Sequence, residues 1–216
     1  MQSLSKQTTF GARRRTLRML GYALGFLSPW PLCAQTMLRP TPAQTEGPFY
    51  PTKLPSDRDT DLTQVAGHSQ PAQGTRLYFS GRVLVRDGSP QAGATVELWQ
   101  CDVFGRYHHA GDYGSPRDDG FQGYGVATTD GEGRFAFKTI RPVAYSGRIP
   151  HIHLKVRTAA GAALTTQVYI AGDATGGDPV LAFTSAEARK RLTMEVAPTP
   201  GREAGALAGT FEIVIP

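Results

Sequence analysis

From residue 76 onward, apolar and polar side chains alternate in short runs divided by turn signals. Leu77 to Val85 reads as a strand, and Asp87-Gly88 as the turn after it. Ala94 to Gln100 reads as the next strand, with Val96, Leu98 and Gln100 alternating with Glu97 and Trp99. Asp130-Gly131-Glu132-Gly133 marks a turn before a strand from Arg134 to Ile140. In His151-Ile152-His153-Leu154-Lys155-Val156 the apolar positions again take every second place. Leu164 to Ala171, with apolar residues along its length, reads as a further strand, and Thr210 to Ile215 as a closing strand. Ser185 to Arg191 has room for one or two helical turns, and residues 101–124 form a long loop rich in Gly, Asp, Tyr and His. This spacing predicts an all-β fold: a β-sandwich of mostly antiparallel strands with long loops and little helix.

Upstream the pattern changes. Residues 35–75 carry Pro40, Pro42, Pro48, Pro51, Pro55 and Pro71, which rule out a long helix and predict an extended arm. Within it, Thr45-Glu46-Gly47-Pro48-Phe49-Tyr50-Pro51 reads as a proline-stiffened strap over the core. Residues 1–34 have the layout of an export signal: a basic start ending in Arg13-Arg14-Arg15, an apolar run from Met19 to Leu27, and a small residue, Ala34, at the expected cut. The apolar run is too short to span a bilayer core of about 30 Å, so no stable membrane anchor is expected. The paired arginines resemble a twin-arginine signal, which predicts export to the periplasm.

Composition alters this picture in two places. Glycine (25) and proline (16) are plentiful, yet 40% of residues are hydrophobic, which fits a turn-rich sandwich rather than disorder. The net charge of +5 belongs to the leader: without its five basic residues, 18 basic side chains face 18 acidic ones. The remaining domain therefore has no charge that would recruit nucleic acid. Of the two cysteines, Cys33 lies in the leader, so Cys101 is expected to be a small buried hydrophobe rather than half of a disulfide.

Candidate chemistry centres on Tyr145 to His153, where a phenol, a guanidinium and two imidazoles fall within nine residues. Strand positions i and i+2 share a face, so His151 and His153 project side by side and could share one ion. Pro150 and Gly147 mark a loop before that strand, which lets Tyr145 and Arg148 fold back over it. Two imidazoles alone do not make a site; taken by itself, a His-x-His is better read as a polar strand face with two solvated histidines. Further ligands must come from elsewhere, and Gly105-Arg106-Tyr107 in the long loop supplies a phenol in a setting that lets it reach inward. His68, His108 and His109 read as solvated loop residues.

Several motifs follow one another in order. They are Leu98-Trp99-Gln100-Cys101-Asp102, Gly105-Arg106-Tyr107, Thr129-Asp130, Thr139-Ile140-Arg141-Pro142, Tyr145, Arg148-x-Pro150-His151-Ile152-His153 and Thr166-Gln167-Val168-Tyr169. The ordered set resembles the intradiol ring-cleavage dioxygenases, the class of protocatechuate and catechol dioxygenases, over roughly residues 40–216. Thr45 to Tyr50 resembles the proline-containing entry segment of that class.

The resemblance implies a non-haem Fe(III) held by Tyr107, Tyr145, His151 and His153. It implies an oxidoreductase that cleaves a catechol-type diol with O2 to a cis,cis-muconate-type diacid. It also implies roles for Tyr145 as the phenol that yields to substrate and takes its proton, for Arg148 beside negative charge developing on the ring, and for Gln167 as a polar residue lining the same pocket. The donor set suits the metal: phenolates are hard anionic ligands, and a tyrosine of pKa about 10 ionises near neutrality only beside a strong positive charge. Zinc would draw cysteines or a third histidine instead. Relatives assemble from equal or mixed subunits, which makes a homo-oligomer compatible with the resemblance. Only five residues separate Tyr145 from His151, fewer than in the best-known members, so the ring substituents stay open. A second reading is a non-catalytic, transthyretin-like exported sandwich, which Gly88 to Val96 and Asp130 to Phe135 also resemble. Such a module gives no reason for two tyrosines and a His-x-His at these places.

Overall fold

A computed structural model describes residues 37–114, 116–173 and 176–216. The expected export signal at 1–34, with Cys33, lies outside the described residues.

Nine strands build two sheets. The first contains β1 (Arg76–Leu84), β4 (Arg134–Ile140), β8 (Val196–Pro198) and β9 (Leu207–Val214), in the order β4-β1-β9-β8. The second contains β2 (Thr95–Trp99), β3 (Tyr124–Thr128), β5 (His151–Arg157), β6 (Ala163–Ile170) and β7 (Thr193–Met194), in the order β3-β2-β5-β6-β7. The pairs β1–β9 and β6–β7 are parallel and the others antiparallel. Two short helices follow β6: α1 (Pro179–Ala182), capped by Asp178, and α2 (Ala186–Arg191), capped by Ser185.

The alternation decides which side chains meet. Leu77, Phe79 and Val83 of β1, Phe135 and Phe137 of β4, and Phe211 and Ile213 of β9 pack against Val96 and Leu98 of β2, Ile152, Leu154 and Val156 of β5, and Val168 of β6. Each such side chain contributes about 1.5–3 kcal/mol relative to remaining exposed.

The opposite face of the second sheet departs from a simple sandwich. Glu97, Trp99, Tyr124, His151, His153, Gln167 and Tyr169 point away from this core, yet all are buried. The arm covers them: Gln44 N donates to Thr165 O at 3.0 Å and Thr166 Oγ1 to Pro42 O at 2.7 Å. Gln167 Nε2 donates to Thr45 O at 2.9 Å and Tyr50 Oη to Glu97 Oε2 at 2.5 Å. The strap thus seals the outer face of the second sheet.

Two expectations need correction, and three short elements join those expected. The long loop ends at Gly123, because Tyr124 already pairs with Trp99 and begins β3, a strand whose Tyr-Gly-Val-Ala-Thr gives little alternation. The two- and three-residue strands β7 and β8 and the four-residue α1 are too short to print a period in the sequence. His68, His108 and His109 are half-buried rather than solvated. His109 Nδ1 accepts from Gly111 N at 2.9 Å, and His108 Nε2 lies 3.8 Å from the Asp102 carboxylate.

Candidate metal centre

Register brings the histidines into place. His153 pairs across β2 with Trp99 and across β6 with Gln167, and His151 pairs with Tyr169. All five residues therefore share the covered outer face. The Trp99 indole stacks on His153 at 4.7 Å between centroids and 12° between planes, which fixes that imidazole's plane.

The two tyrosines arrive from loops. Tyr145 N and O bond Arg148 O and N at 3.1 and 2.7 Å, closing a turn in which Ser146 (φ 43°) and Gly147 (φ 77°) both lie in the left-handed region. Ser146 is the single non-glycine residue with positive φ among the described residues. Tyr107 sits on the loop after β2, where the buried Asp102 accepts from Phe104 N and Arg106 N, each at 2.9 Å, and Asp112 accepts from Tyr107 N at 2.8 Å. Gly105 lets the two loops touch: at φ +73°, a Cβ there would lie 2.9 Å from Tyr145 Cβ.

The four expected ligands close a ring of contacts. Centroid distances are 5.2 Å for Tyr107–Tyr145, 5.6 Å for Tyr145–His151, 4.8 Å for His151–His153 and 6.1 Å for His153–Tyr107. The two Nε2 atoms stand 3.2 Å apart. His151 Nδ1 lies 2.6 Å from Ile149 O. A carbonyl only accepts, so Nδ1 carries the proton and Nε2 turns its lone pair inward. His153 Nδ1 is buried without a hydrogen-bond partner, and so is Tyr107 Oη.

These are the observations on which a metal can be tested. Burial pushes His151 down to about 4, and burial followed by the neighbouring His151 holds His153 well below the usual imidazole value. Both rings are therefore neutral and able to ligate. Burial raises Tyr107 well above the usual phenol value, with Tyr145 adding to it, and burial also raises Tyr145. Neither phenol ionises in this setting unless a cation joins it. Two neutral imidazoles, a buried phenol with an orphaned oxygen and a half-buried phenol fit a hard trivalent cation better than zinc. Groups of three or more His, Cys, Asp or Glu able to hold a metal are absent among the described residues.

Arg148 stands beside the four rings. Its Nε donates to Asp178 Oδ2 at 3.0 Å and its NH2 to Gln167 Oε1 at 2.6 Å. Gln167 also accepts from Tyr169 Oη at 3.0 Å. The three expected catalytic residues, Tyr145, Arg148 and Gln167, therefore lie together. Two cavities reach this region. One, of about 330 Å³, is lined by Phe49, Trp99 and Tyr107 among others; the second, of about 490 Å³, by Tyr145, Arg148 and Ile149. Either volume admits a single substituted ring.

The sequence reading did not single out several neighbours. Phe49 stacks on Tyr107 at 4.8 Å, Trp99 backs His153, and Asp178 holds Arg148. Phe49 and Trp99 lay inside motifs already noted, but Asp178 belongs to none. Cys101 is buried, with its thiol pushed up to about 12 by burial, and it takes no part in the ring of ligands.

Comparisons with known proteins agree with one another. A family profile described as Dioxygenase matches residues 45–215. The protocatechuate 3,4-dioxygenase beta chain of Burkholderia cepacia is 36% identical over 178 residues, which cover 78% of this chain and 76% of that relative. Catechol 1,2-dioxygenase 2 of Acinetobacter lwoffii is 33% identical over 156 residues, covering 62% and 52%. Among solved structures, the dioxygenase domain of a dioxygenase carbohydrate-binding protein fusion from Streptomyces sp. SirexAA-E is 31% identical with a TM-score of 0.59, covering 82% of this chain and 97% of that one. The 3-chlorocatechol 1,2-dioxygenase of Rhodococcus opacus 1CP, at 20% identity, shares the fold with a TM-score of 0.66, covering 84% and 75%.

Proposed function

The chain belongs to the intradiol ring-cleavage dioxygenases, and from that premise we propose that it cleaves a catechol-type ring with O2 at a non-haem Fe(III) held by Tyr107, Tyr145, His151 and His153, giving a cis,cis-muconate-type diacid. The observation that carries this reading is the closed contact of two phenols and two imidazoles, with Tyr107 Oη buried and unpartnered.

Ferric iron bound there would draw electron density from a chelated diol and so open its ring to O2. The chain's own residues have distinct tasks. His151, with its tautomer set by Ile149 O, and His153, held by Trp99, present fixed neutral donors. Of the phenols, Tyr107 is buried under Phe49, whereas Tyr145 is half-buried on a two-residue turn. That contrast supports Tyr107 as the permanent ligand and Tyr145 as the one that yields to substrate and accepts its proton at Oη. Arg148 stabilises negative charge developing on the ring, and Gln167 holds that guanidinium in place. Phe49 and the strap keep bulk water from the site.

Two extensions belong to the proposal. The arginine-led leader supports periplasmic export by a twin-arginine-like route, which suits a protein loaded with metal before it crosses the membrane. Assembly of like subunits is the form of association we expect.

The test combines colour, metal and turnover. Protein from iron-replete cells should hold about one iron per chain and absorb in the visible through tyrosinate-to-iron charge transfer. Oxygen uptake against catechol, protocatechuate, hydroxyquinol and chlorinated diols should identify the substrate. Y107F and H151A should each lose most of the iron and the colour. Full iron retention by both variants would refute the ligand assignment, and a colourless, iron-free wild type would favour the non-catalytic sandwich.

A further inference from the structure

The buried carboxylate of Asp178 divides its two oxygens between two tasks. Oδ1 accepts from Val180 N at 2.9 Å and Leu181 N at 3.2 Å, which caps α1. Oδ2 accepts from Arg148 Nε at 3.0 Å and Ile149 N at 3.0 Å. The side chain is fully buried, while that of Arg148 is 12% exposed, so the pair is largely shielded from water. Burial alone would raise the Asp178 carboxyl, but Ile149 N, Arg148 and Leu181 N more than offset it, and the group stays below the usual carboxylate value.

An arginine side chain has many rotamers, and holding one costs entropy of up to about 2 kcal/mol. Here one N–H is taken by Asp178 and one by Gln167, from two sides. A guanidinium has five N–H donors, so these two bonds fix its plane and leave three for a ligand. The bond to Ile149 N ties the same carboxylate to the residue whose carbonyl sets the His151 tautomer.

We propose that Asp178 is the positioning residue for Arg148, holding the guanidinium in register with the four-ring centre while its other oxygen caps α1. This rests on the reading of Arg148 as the residue that faces the reacting ring.

Asn at 178 keeps one oxygen for the α1 cap but replaces the other with an amide that cannot accept from Arg148 Nε. Ser at 178 also caps a helix well yet is too short to reach Arg148. The experiment measures oxygen uptake by iron-loaded wild type, D178N, D178S, R148A and D178N/R148A, using the diol from the panel above that the wild type consumes fastest. Iron content, the visible band and thermal unfolding are followed alongside. In the wild-type background, D178N and D178S should lower kcat about 10- to 100-fold with KM changed less than about threefold, while iron and colour persist. In the R148A background, D178N should change kcat by less than about twofold, because its effect passes through Arg148.

Equal losses with and without Arg148 would reduce Asp178 to a helix cap and overturn the proposal. So would unimpaired kcat in D178N and D178S beside a damaged R148A. Loss of iron or of cooperative unfolding in both Asp178 variants would do the same. Unimpaired R148A would instead remove the underlying reading of Arg148, and failure of every diol with iron-loaded wild type would remove the ring-cleavage reading itself.

Discussion

At the scale of single residues, small steric facts control the centre. Gly105 is one: its positive φ and the 2.9 Å approach that a Cβ would make to Tyr145 Cβ allow only glycine. Alanine there must move Tyr145, since the atom it meets is the rigid root of a side chain. G105A should cost about 1–2 kcal/mol of stability and lower oxygen uptake at least tenfold, as checked by thermal unfolding and by the uptake assay. Activity and melting temperature equal to wild type would show that the two loops do not meet as described. Phe49 and Trp99 act by stacking: neither donates an electron pair, but each fixes the plane of a ring that does.

At the scale of elements, the arm turns an ordinary sheet face into a site. β2 and β5 each bury both faces, one in the sandwich core and one under the strap, although the sequence of each alternates as a half-buried strand would. The latch is Tyr50, whose Oη meets Glu97, a buried carboxylate that also takes Tyr124 Oη at 2.9 Å and pairs with Arg157. A hydrogen bond to a charged partner contributes about 1.5–3 kcal/mol. Y50F should lower stability by about that amount and speed proteolytic cutting within residues 44–50, read by limited proteolysis and mass spectrometry. Protection identical to wild type would show that the strap is held by its backbone bonds alone. Lys155, over the Tyr50 ring at 4.3 Å, sits at the same junction.

At the scale of the whole molecule, the buried imidazoles tie stability to pH. His151 titrates at about 4 when folded and near 6.5 when unfolded. Between those values the unfolded chain takes up a proton that the folded chain does not. The iron-free protein should therefore hold full stability from this source above pH about 6.5 and lose it progressively as pH falls toward about 4. Urea unfolding of iron-free protein at several pH values in that window should show a falling midpoint, shallower in H151Q. A midpoint equally steep in H151Q would assign the effect to other groups. His153, also held well below the usual imidazole value, adds to the same slope.

Much of this was legible in the chain itself. Alternation in 76–84, 134–140 and 151–157 fixes which side chains enter the core, because a strand has a period of two whatever surrounds it. His151 and His153 had to share a face for the same local reason, and the family resemblance carried by the ordered motifs pointed to Tyr107, Tyr145, Arg148 and Gln167, which the fold brings to one region. Distance in the chain hid the remainder. The burial of Glu97, the seating of Phe49 on Tyr107, the hold of Asp178 on Arg148 across 30 residues and the half-burial of His108 and His109 follow from loops and an arm that fold back from far away. Periodicity reports only what a residue's immediate neighbours impose. Which oxygens and nitrogens converge is set by strand register and by backbone hydrogen bonds between segments that no local pattern connects.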